Sequence, residues 1–180
     1  MTAPDWRSDI LKFWFGLDLR QWWSGGAELD HRNREQFLKI WSEKRQLPVE
    51  SFLGDPLSAL AAVILFDQFP RNMFRGHADS FSTDHLALGI AKGAIDKHLD
   101  EELQQQERCF LYMPFQHSEA LADQNRAVLL FTELGDDEQL KYAKIHHDLI
   151  ARFGRFPHRN AMLGRPSRPD EIAAGATKPW

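Results

Sequence analysis

Two segments of the chain carry residue types suited to holding an anion, at nearly the same spacing. Asp67-Gln68-Phe69-Pro70-Arg71-Asn72-Met73-Phe74-Arg75-Gly76 and Arg155-Phe156-Pro157-His158-Arg159-Asn160-Ala161-Met162-Leu163-Gly164-Arg165 share Phe-Pro, then Arg-Asn, then a glycine beside an arginine. The Phe-Pro pairs are 87 positions apart and the Arg-Asn pairs 88. A guanidinium presents planar donors that match a carboxylate or phosphate in pairs. If the two segments converge, Arg71, Asn72, Arg75, Arg155, His158, Arg159 and Asn160 line one anion site. The competing structural role is that arginine and asparagine cap helix-end carbonyls while phenylalanine and proline pack the connections.

A second candidate is His117-Ser118-Glu119. Histidine is the side chain most easily poised near neutral pH, so His117 is a possible acid or base, with Glu119 to orient it or His147 as its partner. The alternative is structural, with Ser118 as a helix N-cap and His147 as a core-facing histidine. Ser118 lacks the Gly-x-Ser-x-Gly setting of a strained nucleophile. Cys109, within Cys109-Phe110-Leu111, reads as a small buried hydrophobe. His146 and His147 are adjacent and no His-Glu-x-x-His or paired-cysteine spacing exists, so no metal and no cofactor are expected.

Both segments follow strongly apolar stretches, which reads as a helix end broken by proline and followed by a loop. Helical periodicity extends over most of the chain. Trp6, Ile10, Phe13 and Trp14 mark a first helix, with Pro4 in its first turn and Gly16 at its end. A second helix is expected from about Glu28 to Gln46, after a Trp22–Gly26 loop. Asp55 and Pro56 have the N-cap and N1 chemistry of a third, whose apolar residues on every face predict a central position. A fourth opens at Ser82 or Thr83, with small residues that permit close approach of a neighbour. Arg108 to Met113 is a short apolar run ended by Pro114. Helices are then expected from Ser118 to Leu134 and from Gly135 or Asp136 to Gly154, with a last short one near Ser167–Asp170. Nothing alternates with period two between hairpin turns, so the class is all-α.

Composition bounds the rest. The chain has 180 residues, 43% hydrophobic and 27% charged, with a net charge of −4, which describes one ordinary globular domain spanning 1–180. Six Trp and thirteen Phe supply large areas for burial. A lone cysteine, together with Asp5, Arg7 and Asp9 where a secretory signal needs apolar residues, indicates a cytoplasmic protein. Leu57 to Phe66 covers only ten residues, about half of a membrane span, so no membrane association is expected. From Lys141 to Arg168, seven Lys/Arg stand against Asp148 alone, with Asp148 and Arg152 spaced as a helix pair. The overall pI near 6.0 and the lack of a reading motif argue against nucleic acid as a partner.

The two segments, with Ile10-Leu11-Lys12-Phe13-Trp14-Phe15-Gly16 and Phe110-Leu111-Tyr112-Met113-Pro114-Phe115-Gln116-His117-Ser118-Glu119, resemble the bacterial family catalogued as domain of unknown function 924. The resemblance covers most of the chain. It implies an all-α, tetratricopeptide-like array of antiparallel helices, and it carries no activity, cofactor or catalytic residue. No 34-residue repeat with the usual tetratricopeptide signature is traceable. Two functions follow from the residues. One is a binding module whose Arg-rich pocket takes a small anionic ligand or peptide. The other is an enzyme acting on a phosphorylated or carboxylated metabolite, with His117, Glu119 or His158 moving a proton. Ligand identity and self-association stay open.

Overall fold

A computed structural model describes residues 5–178; Pro4, expected in the first turn, lies outside them. Every regular element among the described residues is helical. α1 (Trp6–Phe15) starts where the Asp5 side chain accepts from Arg7 N–H, and it buries Ile10 and Trp14. α2 (Leu19–Ser24) takes up Trp22 to Ser24 of the expected Trp22–Gly26 loop and leaves Gly25 and Gly26 as the connection. Asp18 and Gln21 close a reciprocal capping box at 2.8 and 3.0 Å, which is enough to hold this short helix. α3 (Ala27–Lys44) follows and buries Leu29, Phe37 and Trp41.

The expected central helix is present, and it continues where a loop was anticipated. α4 (Pro56–Val63) is capped by Asp55 and runs without interruption into a π-helical turn, Ile64–Gln68, and then α5 (Phe69–Met73). Pro70 explains the π turn. It has no N–H to return to the Phe66 carbonyl four residues back, and its ring crowds that carbonyl. The Thr83 hydroxyl donates to the stranded Phe66 carbonyl at 2.7 Å and accepts from Trp41 Nε1 at 3.2 Å. The first anion segment is therefore a distorted stretch of buried helix, with Asp67 wholly enclosed.

Thr83 also precedes α6 (Asp84–Asp96). A Cβ on Gly93 would come within 2.4 Å of Leu53, so the small residues of α6 do admit a close neighbour, the turn Val49–Phe52 and Leu53. α7 (Gln105–His117) contains Pro114 instead of ending before it. One lost backbone bond is tolerated because Cys109 to Gln116 are all buried in the core. Ser118 ends α7 and does not cap the next helix. α8 (Leu121–Leu134) begins after Ala120, while the Ser118 hydroxyl donates to Asp123 at 2.7 Å. α9 (Asp137–Phe153) is capped by Asp136 and stopped by Gly154 at φ 70°. α10 (Pro169–Ala173) starts one residue later than the Ser167 spacing implied, because Glu171, not Asp170, takes the Arg168 N–H at 2.8 Å.

α4 packs against α1, α6 and α7, and α7, α8 and α9 follow one another side by side. Phe13, Phe37 and Phe69 form an aromatic cluster that continues through Trp14 to Phe110. No described helix is long and apolar enough to cross a membrane. This packing brings the π turn, the end of α7, the middle of α9 and the 156–159 turn together.

Candidate functional site

Site geometry begins with Asp67, which the π turn places 0% exposed beneath the end of α7. An ionised carboxylate only accepts, so the 2.8 Å contact from His117 Nδ1 to Asp67 Oδ1 is an N–H donation. That bond fixes the tautomer and leaves Nε2 as the basic nitrogen. Gln68 Nε2 donates to the other oxygen at 2.6 Å. Burial alone would raise the Asp67 carboxyl. Arg71 and His117 beside it, with the His117 and Gln68 hydrogen bonds, outweigh burial and hold it well below the usual carboxylate range. His117, its side chain 14% exposed, is lowered by burial and by Arg71 against the opposing pull of Asp67, so the imidazole is neutral at neutral pH.

Arg71 and Arg159, from the two similar segments, meet at one carboxylate. Arg71 holds Asp84 through both terminal nitrogens at 3.0 Å each, and also donates to the Asp67 carbonyl. Arg159 reaches the same Asp84 at only 3.5 Å. It is 7% exposed and stacked between Phe81 and Phe156 at 4.4 and 4.6 Å, and its buried Nε has no partner. Burial and the nearby Arg71 charge push its guanidinium down to about 10. Buried Arg159 thus shares Asp84 with the partly buried Arg71, which engages that carboxylate fully and also lies 3.4 Å from Asp67 Oδ1.

These groups line two adjoining cavities. The larger, about 470 Å³, has walls of Trp14, Trp22, Trp23, Met113 and Tyr142. The smaller, about 310 Å³, is lined by Phe81, His158, Arg159 and Met162. Arg71, Arg75, His117 and His146 belong to both, so the cavities meet at His117. His146 Nδ1 donates to the Tyr142 carbonyl at 2.7 Å, and burial followed by His117 pushes the ring down to about 3. His158 is pushed down to about 4 by burial and Arg159. The rim is closed by Arg75, which pairs with Asp30 at 2.7 and 2.8 Å and donates to Asn72 Oδ1 at 3.1 Å. Glycine suits position 25 because its φ is 61°, and a Cβ there, 2.3 Å from Arg75 Nη2, would also displace the guanidinium.

The expected constellation is therefore only partly assembled. Arg71, Asn72, Arg75, His158 and Arg159 surround the cleft. Arg155 and Asn160 do not: both bind Glu171, at 2.6 and 2.9 Å, and tie the second segment to α10. Glu119 does not orient His117. It accepts the Phe156 N–H at 2.8 Å and clamps Arg165 through two bonds at 2.8 and 3.0 Å. His147 bonds Asn125 and Asp148 outside the cleft, so Asp148 does not serve Arg152, which lies over Phe153. Cys109 is buried in the core, its thiol pushed up to about 12. Asp67, Asp84 and His146 were not singled out from sequence. His146 had a signal: Ala143, His146, Ile150 and Phe153 form a helical stripe as good as the one through His147. No group of three described His, Cys, Asp or Glu residues is placed to hold a metal ion.

Comparison with known proteins gives a family without an assigned function. The family model described as bacterial protein of unknown function (DUF924) matches residues 10–175. The solved structure of ATU0120, a protein of unknown function from Agrobacterium tumefaciens, is 36% identical, covers 95% of this chain and 97% of its own, and superimposes with a TM-score of 0.87. A search of curated proteins finds no match. With a family model spanning most of its length and a similar fold in that relative, the chain belongs to the DUF924 family of bacterial proteins.

Proposed function

We propose that this protein binds a small anion-bearing molecule, with the anion seated at Arg159 and Arg71 and the remainder in the aromatic-walled cavity. The observation that carries this reading is Arg159, a buried guanidinium with one long ion pair and an unpartnered Nε. A buried cation left short of partners is costly to the fold, and an incoming carboxylate or phosphate relieves that cost with charge-assisted bonds. Asp84 is already held by Arg71 from both sides, so it cannot serve Arg159 equally well. The apolar walls then supply contact area for the ligand's body. Arg155, paired with Glu171, takes no part. This reading makes the chain a cytoplasmic binder of small metabolites.

Arg159→Met tests it, because the substitution keeps the stacked aliphatic stem and removes the charge. Melting temperature is measured with and without inorganic phosphate or glutarate. The wild-type protein is expected to melt higher in the presence of ligand, as binding to the folded state alone requires. The variant should show no such rise, while its ligand-free stability stays within about 1 kcal/mol of wild type or increases. Equal ligand-induced rises in both proteins reject the seat.

A further inference from the structure

We propose that the cleft is also catalytic: His117, positioned by Asp67, takes a proton from water, which attacks an ester bond of a small molecule whose carboxylate or phosphate sits on Arg159 and Arg71. The inference rests on the anion seat described above and adds a reaction to it. An anion seat alone has no use for an oriented base. Here a fully enclosed carboxylate, also bonded by Gln68 and 3.4 Å from Arg71, accepts from one imidazole nitrogen at 2.8 Å, and the other nitrogen belongs to a residue lining both cavities where they meet. A ligand anchored in the smaller cavity and extending into the larger one must pass His117.

Water is the nucleophile because no serine or cysteine among the described residues offers its hydroxyl or thiol to the imidazole. Ser118 follows His117 in the chain but turns its hydroxyl to Asp123. Ser80 lines the smaller cavity with its hydroxyl donated to the Phe74 carbonyl, and Cys109 is buried away from both. In the step, a water O–H breaks and its proton goes to His117 Nε2 while the oxygen bonds to the acyl carbon. The ester C–O bond then breaks and the alcohol leaves with the proton returned from Nε2, so ester and water give acid and alcohol. Asp67 carries the positive charge of the transient imidazolium without accepting its proton, and acts as a positioning residue. Around His117 are Asp67 from the π turn, Arg71 from α5, Asp84 from α6, His146 from α9, and His158 and Arg159 from the second segment. The lowered pKa of the imidazole means that the base is already neutral at neutral pH.

The probe is the mono-4-nitrophenyl ester of glutarate, with 4-nitrophenyl acetate as its uncharged counterpart. The purified full chain is expected to hydrolyse the glutarate ester in preference to the acetate. His117→Gln, which keeps an N–H for Asp67 but no base, should lower kcat about 100-fold or more with KM nearly unchanged. Arg159→Met should raise KM. Wild-type activity should fall with acidification below the ordinary histidine pKa of about 6.5. Asp67→Asn removes the carboxylate that favours the imidazolium, so its acid limb should move to lower pH as kcat drops. If that variant does not fold, His117→Gln decides alone. Glutarate that raises the melting temperature without His117-dependent hydrolysis of its ester overturns catalysis and leaves the binding reading intact. Hydrolysis unchanged in His117→Gln rejects His117. No effect of glutarate and no hydrolysis of its ester removes the anion seat as well.

Discussion

At the residue scale, the cleft is a set of ionisable groups held in the protonation states that the fold prefers. His146 and His158 are folded in as neutral rings, lowered to about 3 and about 4. In the unfolded chain both take protons near pH 6.5. Between these values the unfolded state binds more protons, so stability is full above about pH 6.5 and falls as the pH drops through the window. For His146 the loss at pH 5 is about 2 kcal/mol. Urea unfolding at pH 7 and pH 5 should show it, and His146→Gln should flatten the difference. A pH dependence identical in the variant would mean that the ring is not buried neutral. Asp67 acts in the same direction at lower pH: its depressed carboxyl stabilises the fold above the ordinary carboxylate pKa, and that contribution is lost as pH falls through the folded value.

At the element scale, Pro70 makes the site and Thr83 makes Pro70 tolerable. The π turn turns Asp67 toward α7, and the Thr83 hydroxyl accepts one partner and satisfies another. Thr83→Val has nearly the same shape but leaves the Phe66 carbonyl and the Trp41 N–H buried without partners. The expected loss is about 2–4 kcal/mol by urea denaturation, with Thr83→Ser recovering most of it. Equal stability of the valine and serine variants would show that the hydroxyl satisfies neither group. Element ends were largely legible in the sequence where a local cap decides them, as at Asp55, Asp136 and Gly154. Pro70 and Pro114 were misread as stops because local rules weigh a missing N–H and a clash. Burial of Ser58 to Pro70 and of Cys109 to Gln116 on all sides outweighs both.

At the scale of the whole molecule, the cleft is built from segments far apart in sequence, and one polar clamp joins them. Glu119, at the α7–α8 connection, receives the Phe156 N–H and both arms of Arg165, fixing the segment that carries Arg159. Glu119→Gln should cost about 1–3 kcal/mol, since it replaces charge-assisted bonds with neutral ones. It should also weaken the phosphate- or glutarate-induced rise in melting temperature, although Glu119 lines neither cavity. A variant with lowered stability and unaltered ligand response would show that Arg159 is held without the clamp.

The chain by itself determined the helical class, the element ends set by local caps and the likeness of the two Phe-Pro/Arg-Asn segments, because caps, glycine ends and the 3.6-residue period act over a few residues. It also singled out His117, Arg71 and Arg159, whose chemistry is carried by residue type. Tertiary structure decided which charge meets which. Arginine pairs with whichever carboxylate the packing presents, so Arg155 went to Glu171 and Arg75 to Asp30, while Arg71 reached both Asp67 and Asp84 and Arg159 was left a share of Asp84. The same holds for the histidines: two adjacent positions on α9 point about 100° apart, and only the neighbouring helices place His146 at the cleft and His147 at Asn125. Asp67 became the partner of His117 across 50 residues of chain, a pairing that depends on how the π turn lies against α7 and on no local signal.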